Sequence, residues 1–253
     1  EIIAPAALEG DEAPAVRFQN RNRKLNYTQI FTETVEVSKT KLALNNIGVV
    51  NELDHQTMAR LRELTRYLES AVINGRAASA TGMGSSTVRR TMNGLVAHLN
   101  SHVYQADTTA DFSGLGVDLD EVNLNLLFRK VWENSDAPID FILCNGFQKR
   151  RINAFNASSM RTARTEDVAG NRVDVYESDF GVAKVVLSRW VPPDVVLVGA
   201  SSHLDVLQLQ SRSFSREPLG RVGDAVKYQV TGEYTLELRN EGAFGMLHGL
   251  SVS

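Results

Sequence analysis

The chain has a single cysteine, Cys144, whose position in the sequence suggests a reactive side chain. It ends the apolar run IDFILC and is followed by Asn145, Gly146 and a segment with helical spacing. A strand, a nucleophile, a tight turn and a helix in that order form the nucleophile elbow of some hydrolases. The first glycine of the elbow motif is missing. None of the histidines lies at a position that the sequence would identify as the catalytic base. A small buried cysteine is the commoner meaning of this pattern, and a cysteine hydrolase using Cys144 stays open as an alternative.

Three further polar patterns could bind a ligand, and each has a simpler explanation. His98 and His102 would share one face of a helix, but HLNSH lacks the glutamate of zinc-binding helices. The ATGMGSST segment has the glycines of a phosphate loop, but no lysine follows them and no apolar strand precedes them. Asp118, Asp120 and Glu121 are explained by capping of the helix that follows. The sequence therefore predicts no catalytic residues, no metal site and no cofactor.

Composition excludes several classes of protein. The 253 residues include 27 basic and 30 acidic side chains, a formal net charge of −3. This balance argues against a protein that coats nucleic acid or binds anionic membranes through a basic face. One cysteine excludes an internal disulfide and fits a reducing compartment such as the cytoplasm. No apolar run approaches the ~20 residues of a membrane-spanning helix.

The strongest helical signal lies between Asn51 and Asn74. Asn51 is a good N-cap, and Gly75 stands where a left-handed residue would end the helix. One apolar stripe at spacings of three and four comprises Leu53, Thr57, Leu61, Leu64, Leu68 and Val72. At ~1.5 Å per residue the helix would be about 35 Å long.

The rest of the chain predicts a mixed α+β fold. A second helix is expected to bury Val88, Met92, Leu95, Val96 and Leu99. A third helix should open with an Asp118–Glu121 capping box and turn Val122, Leu126 and Trp132 inward. IDFILC predicts a buried strand, and NGFQKRRINAF predicts a helix after it. From Arg172 onward the apolar period changes to two, which indicates a succession of strands.

The segment before the long helix predicts a β-hairpin. Two extended runs flank a basic tip at 20–24, and the second run, Asn26 to Thr40, is a long strand. One face of this strand comprises Tyr27, Gln29, Phe31, Val35 and Val37. A hairpin that precedes any core is marginal by itself. We therefore expect it to find part of its packing surface on another copy of the protein.

Six segments in order resemble a family of tailed-bacteriophage major capsid proteins with the Hong Kong 97 capsid fold. They are EGDEAP, NYTQIFTETVEVSKT, LRELTRYLESAVING, TMNGL, VYESDFGVAKVVLSRWVP and GDAVKYQVTGEYTLELRNEGAFGMLHGL, covering Glu9 to Leu250. The resemblance implies an N-terminal arm remnant at 1–9 and an extended hairpin, the E-loop, at 10–46. It further implies a peripheral domain with a long spine helix at 47–105, an axial domain at 106–200 and a return to the peripheral domain at 201–253.

The resemblance also implies a function. Such proteins self-assemble into hexamers and pentamers of an icosahedral head around double-stranded DNA, without catalysis. Portal, scaffolding and decoration proteins would be partners, DNA would be held non-specifically, and the protein would be a virion component assembled in the bacterial cytoplasm. The residues expected to contact neighbouring subunits are Arg17, Arg21, Arg23, Lys24, Tyr27, Gln29, Phe31, Glu52, Arg60, Arg62 and Glu69. A protein nanocompartment shell of the same fold is the alternative.

Overall fold

The computed structural model describes residues 9–10, 16, 18, 23–44, 51–78, 84–158, 175–220 and 223–252. The strands are β1 (Gln29–Ser38), β2 (Val103–Gln105), β3 (Phe141–Cys144), β4 (Val175–Ser178), β5 (Gly181–Leu187), β6 (Val196–Gly199), β7 (Leu204–Gln208), β8 (Ser215–Pro218), β9 (Ala225–Leu238) and β10 (Phe244–His248). The helices are α1 (Lys39–Ala43), α2 (Glu52–Asn74), α3 (Leu95–His98), α4 (Glu121–Asn134) and α5 (Gly146–Ser158). This mixture confirms the predicted α+β class.

The first sheet is organised around β9. Strand β1 pairs antiparallel with it along its whole length, from Gln29 opposite Tyr234 to Ser38 opposite Ala225. On the other edge of β9, β7 and β8 pair antiparallel with different parts of the strand. The 14-residue β9 is therefore central, and β1 is an edge strand in the described part of the chain.

This pairing identifies one partner of the early strand that the sequence did not predict, and packing of the strand on another copy stays a prediction. Its backbone partner is β9 of the same chain, which lies near the other end of the sequence. The predicted inward face is confirmed, because Phe31, Val35 and Val37 are all buried. Strand periodicity shows which side chains turn inward, but it does not identify the strand that pairs with them.

Helix α2 lies against this sheet as its apolar stripe predicts. The Asn51 side chain caps it by accepting hydrogen bonds from the backbone N–H groups of Leu53 (3.1 Å) and Asp54 (3.4 Å). Leu64 is fully buried in a cluster with Phe31, and the same cluster contains Met92 and Val230, with Leu61, Leu68 and Val72 packed around it. The helix thus closes one face of the sheet.

Gly75 ends α2 for a different reason from the one predicted. Its φ is −53° and its ψ 142°, which is not the left-handed conformation expected of a terminal glycine. A Cβ atom there would lie 2.6 Å from the carbonyl oxygen of Met92 and would also meet that of Ala71. Gly94 packs just as closely against Gly75. The N–H of Gly94 donates a hydrogen bond to the carbonyl oxygen of Gly75. The glycine is needed because two backbone segments touch.

The second sheet has the strand order β2-β10-β6-β3-β5-β4. Helices α4 and α5 cover one face, where Phe128, Val131 and Ile152 join a core with Ile142 and Val198 of the strands. The opposite face of its central strands packs against residues from α2, α3 and β9 and from the loop after α3, namely Ile73, Leu95, Leu99 and Leu236. This second cluster ties the two sheets together.

Two predictions for the middle of the chain are wrong in detail. The second helix is reduced to Leu95–His98, because the N–H of Asn93 donates to the Asn26 side chain and that of Gly94 to the carbonyl oxygen of Gly75 instead of continuing a helix. Helix α4 begins after Asp120, and no side chain caps it, so the expected capping box is absent.

The buried face of α4 also differs from the predicted one. Its inner stripe comprises Leu124, Leu127, Phe128 and Val131, together with Asn123. Leu126 packs only partly against the core, while Val122 and Trp132 are 62% and 58% exposed. The helix carries apolar residues on more than one face. The spacing of Val122, Leu126 and Trp132 therefore predicted the wrong face as the buried one.

The close approach at Gly75 generates a stability prediction. Gly75→Ala should destabilise unassembled subunits by about 1–3 kcal/mol, because the added methyl meets backbone atoms that cannot move aside. Gly220→Ala is the control, since nothing lies within 4 Å of its Cβ position. Urea unfolding measures both variants. A left-handed cap would instead favour Gly75→Asn over Gly75→Ala, and that ranking would contradict the steric explanation.

Candidate functional site

Cys144 lacks the properties of a nucleophile. The side chain is buried on the helix-covered face of the second sheet. Burial raises the pKa of the thiol to about 11, against the opposing effect of the nearby Lys149 ammonium. Because the thiolate is the reactive form, Cys144 is a neutral core side chain at physiological pH.

The histidines and acidic residues do not form a ligand site either. Helix α3 ends at His98, so His98 and His102 do not share a helical face, and burial lowers the pKa of His98. His102 Nδ1 lies 3.2 Å from the carbonyl oxygen of Phe244. Asp118 pairs with Arg151 at 3.1 Å. Among the described residues, no three His, Cys, Asp or Glu side chains are grouped to hold a metal ion. The first half of ATGMGSST lies outside those residues.

The predicted contact residues before α2 are largely turned onto the chain itself. Phe31 is in the core, and the Gln29 side chain accepts a hydrogen bond from the backbone N–H of Met92 at 3.2 Å. The carbonyl of Tyr27 accepts from the Thr235 hydroxyl at 3.0 Å. Arg23 is exposed, and Arg17 and Arg21 lie outside the described residues. These contacts tie Tyr27, Gln29 and Phe31 to the subunit's own fold.

Lys24 is also anchored to the same chain. Its ammonium group pairs with Glu241, whose other carboxylate oxygen accepts from the backbone N–H groups of Asn100 (2.6 Å) and Ser101 (2.9 Å). Burial of Glu241 works to raise its pKa, but the hydrogen bonds from Lys24, Asn100 and Ser101 outweigh it and lower the pKa to about 2. The carboxylate therefore stays charged and fixes the segment leading into β1.

Asn26 continues this anchoring and was not predicted. Its amide nitrogen donates to the carbonyl oxygens of Asn93 (2.9 Å) and Leu236 (2.8 Å), and its oxygen accepts from the N–H of Asn93 (2.9 Å). One side chain thus joins the leading segment, the loop before α3 and β9. A single asparagine in a polar run has no periodic signal that would have marked it.

Glu233 is a second unpredicted anchor and lies in the middle of β9. Its side chain is only 4% exposed and pairs with Arg90 and, at 3.1 Å, with Arg212. The Thr28 hydroxyl donates to the same carboxylate at 2.5 Å, and Arg90 Nε donates to the Thr28 carbonyl at 2.8 Å. Two arginines compensate for burial of the charge, and three separate segments are held on one strand.

The predicted contact residues on α2 differ in exposure, and the Glu52 side chain is only 10% exposed. Glu52 is held by Lys41 and Gln56, both at 2.9 Å, and Arg60 pairs with Glu63 at 2.6 Å. Arg62 and Glu69 are exposed, and Glu69 accepts from the Ser188 hydroxyl at 3.1 Å. Their role in contacts between subunits stays a prediction.

Large apolar side chains are the main unexplained feature of the surface. Val16 and Phe18 are 78% and 88% exposed, and Val122 and Trp132 project from α4. The ring centroid of Trp132 lies 5.7 Å from that of Phe180, which is itself only partly buried against the core. A cleft of about 450 Å³ also runs between β1 and α2. Exposed apolar surface of this kind is typical of proteins that bind other proteins.

A family model described as SU10 major capsid protein matches residues 4–251, nearly the whole chain. The chain belongs to this family. It is a structural family of phage capsid proteins and not a family of enzymes. No curated protein matches the chain.

Solved capsid and shell proteins share the fold. The holo-SrpI encapsulin of Synechococcus elongatus PCC 7942 is similar at TM-score 0.63 and 13% identity, over 89% of this chain and 75% of that one. The satellite phage P4 procapsid is similar at TM-score 0.58 and 12% identity, over 100% of this chain and 81% of that one. Gordonia phage Cozz is similar at TM-score 0.58 and 16% identity, over 98% of this chain and 80% of that one. The resemblance to tailed-phage major capsid proteins and the Hong Kong 97-type fold are thereby confirmed. No described helix is long and apolar enough to span a membrane.

Loss of the Glu233 charge should weaken the subunit. Glu233→Gln keeps the shape of the side chain but removes both ion pairs with arginine, and we expect a loss of about 2 kcal/mol. Glu237→Gln on the same strand is the control, because its partner Arg239 is solvent-exposed and such pairs contribute about 0–1 kcal/mol. Urea unfolding of dilute subunits measures the difference. Equal losses in the two variants would show that Glu233 is not an anchor.

The depressed pKa of Glu241 predicts a pH dependence. A carboxylate whose folded pKa is lowered from 4.5 to about 2 stabilises the fold above its unfolded pKa, and this contribution is lost as pH falls towards 2. Glu241→Gln should therefore be less stable than the native chain at pH 7. The gap between their free energies of unfolding should narrow below about pH 4.5. Chemical unfolding from about pH 7 to 3 measures it, with exposed Glu217→Gln as control. A gap that is independent of pH would contradict the assignment.

Proposed function

We propose that the chain assembles with copies of itself into hexamers and pentamers that form an icosahedral shell around double-stranded DNA. Membership of the SU10 major capsid protein family carries this proposal. Head-to-tail contacts between identical subunits close into rings when the rotation between copies allows it, and rings of five and six can build a closed shell. In this function the protein contributes surface to its neighbours and performs no catalysis.

The distribution of apolar side chains supports assembly. The two sheets and the cluster between them provide the subunit with its own core. Val16, Phe18, Val122 and Trp132 remain outside that core. Aromatic residues such as Phe18 and Trp132 are enriched at the energetic centres of protein interfaces. A subunit that folds alone and still exposes such side chains is suited to pack against copies of itself.

The charge of the chain supports a non-specific relation to DNA. A formal net charge of −3 provides no large excess of cations to neutralise phosphates. Each Lys or Arg contact to phosphate adds salt-dependent binding, so a weakly charged shell lets packaged DNA move and condense. The ion pairs of Arg90, Arg212 and Lys24 further reduce the number of free cationic groups.

The domain boundaries and partners follow from the same proposal. We propose that α2 is the spine helix of a peripheral domain at 47–105 and 201–253 and that α4 and α5 belong to an axial domain at 106–200, preceded by an E-loop at 10–46 and an arm remnant at 1–9. The sheets cross these boundaries, because β1 of the E-loop range pairs with β9, and β2 and β10 of the second sheet lie outside 106–200. Portal, scaffolding and decoration proteins are the proposed partners of a head that assembles in the bacterial cytoplasm.

A nanocompartment shell is the second candidate function. The Synechococcus elongatus encapsulin shares the fold at a TM-score of 0.63, slightly above the two phage particles named above. A shell of this kind would enclose a protein cargo, so the contents of the particle distinguish the two functions.

The experiment has two steps. Concentrated, purified protein is examined by electron microscopy, and closed shells with five-fold vertices are expected. Particles from the cells that naturally produce the chain are then treated with nuclease and opened. Protected double-stranded DNA supports the capsid, and a protein cargo without DNA supports the nanocompartment. Protein that stays monomeric at all concentrations would refute both.

A further inference from the structure

Among the described residues, the hairpin of β4 and β5 is covered on one face only. Tyr176 and Val185 are buried in the core that α4 and α5 form with the second sheet. On the other side, the cluster that ties the two sheets reaches β3 through Phe141 and Leu143 and includes no described residue of β4 or β5. The side chains that alternate with the buried ones therefore stay exposed. We call this surface the open face: Val175, Glu177, Val182, Lys184 and Val186.

Helix α4 carries a second apolar surface on its outer side. Its inner side is buried against the second sheet through residues such as Leu127 and Val131. Residues at intervals of seven and four from Val122 lie together on the opposite side of a helix with 3.6 residues per turn. Trp132 lies beside them and is 58% exposed. We call this surface the outer stripe: Val122, Arg129, Trp132 and Glu133.

The open face and the outer stripe lie on opposite sides of the same layered unit. Helix α4 covers one face of the second sheet, so its outer stripe points away from that sheet, whereas the open face is the other side of the sheet. An exposed apolar sheet face is buried by a helix, and a helix with an apolar outer side is buried by a sheet. Two different surfaces on opposite sides of a subunit allow identical copies to join head to tail. Each surface thus lacks the partner that the other offers.

The charged side chains of the two surfaces are also complementary. Glu177 and Lys184 lie on neighbouring strands of the open face, diagonally across the hairpin. The outer stripe presents Arg129 and Glu133, which pair with each other at 2.7 Å and are 58% and 37% exposed. An exposed pair of this kind contributes little to its own helix, so both charges are available to a neighbour. Glu133 can then meet Lys184 while Arg129 meets Glu177.

We propose that the outer stripe of α4 in one copy packs on the open face of the next copy, so that each subunit supplies the missing helix layer of its neighbour's sheet. The three valines of the open face then pack against Val122 and Trp132, and the two ion pairs lie beside them. A contact of this type repeats in one direction around a ring and closes after five or six copies. This inference rests on the proposed self-assembly and names one contact within each hexamer and pentamer.

Disulfide cross-linking tests the direction of the contact. A chain that carries both Arg129→Cys and Val182→Cys has one new thiol on the outer stripe and one on the open face. The helix and sheet layers separate them by more than the Cα distance of about 7 Å that a disulfide can bridge, so the two thiols can link only different copies. Native Cys144 is buried and does not compete. Oxidised shells of this variant should give, on a denaturing gel, a ladder of linked copies that ends at pentamers and hexamers.

Thr65→Cys, on the exposed side of α2, replaces Val182→Cys in the matched control and should give no ladder. Shells of the test variant that form without a ladder would overturn this inference and leave the proposed function intact. Linked dimers from the Val182→Cys single variant would show that two open faces meet symmetrically, which would also overturn it. Wild-type subunits that form no shells would overturn the proposed function, and this inference with it.

Charge reversal tests the same contact without new thiols. Lys184→Glu and Glu133→Lys should each lower the yield of shells roughly tenfold, because each brings like charges together across the contact. A chain with both reversals restores opposite charges and should assemble like the wild type. Circular dichroism verifies that every variant is folded before assembly is measured. Single reversals that assemble normally, or a double reversal that assembles no better than the single ones, would contradict the proposed contact.

Discussion

The antiparallel ladder between β1 and β9 is the interaction on which the rest of the subunit depends. It joins strands from opposite ends of the sequence over ten residue pairs. It also gives α2 a surface to cover, because Phe31 of β1 and Val230 of β9 form one cluster with Leu64. The far end of β9 contributes Leu236 to the cluster that holds the second sheet. Formation of this one ladder therefore fixes the leading segment, the long helix and the relation between the two sheets.

Polar anchors make the ladder specific. Lys24 and Asn26 hold the chain before β1, and Glu233 holds Thr28 and two arginines on β9. Each anchor uses a partner that is distant in sequence, so the leading segment has one register on its own body. Upstream of Lys24, the described residues Val16 and Phe18 remain exposed. The boundary between what folds within the subunit and what is available to other copies thus lies near Lys24.

The sequence predicted local structure better than long-range pairing. The cap at Asn51, the stripe through Leu64 and the alternation that buries Phe31, Val35 and Val37 were all evident from periodicity. The resemblance supplied the fold, because six ordered segments carry information that no single motif has. Pairing of β1 with β9 was missed, because alternation reveals a face and not a partner. Glu233 and Asn26 were missed because their partners are distant in sequence, and the α4 face was wrong because Val122 and Trp132 stay outside the core.

Amide hydrogen exchange of β1 tests the central claim that this strand is paired within its own subunit. Dilute, unassembled protein is compared with assembled shells, and peptides covering Phe31–Val37 and Val226–Leu236 are followed by mass spectrometry. The β1–β9 ladder predicts slow exchange of the Val226–Leu236 peptide, and of the alternate amides of Phe31–Val37 that donate to β9, already in the unassembled subunit. Fast exchange of Phe31–Val37 in the dilute subunit, slowed only in shells, would show that the strand is completed by another copy and would contradict this account.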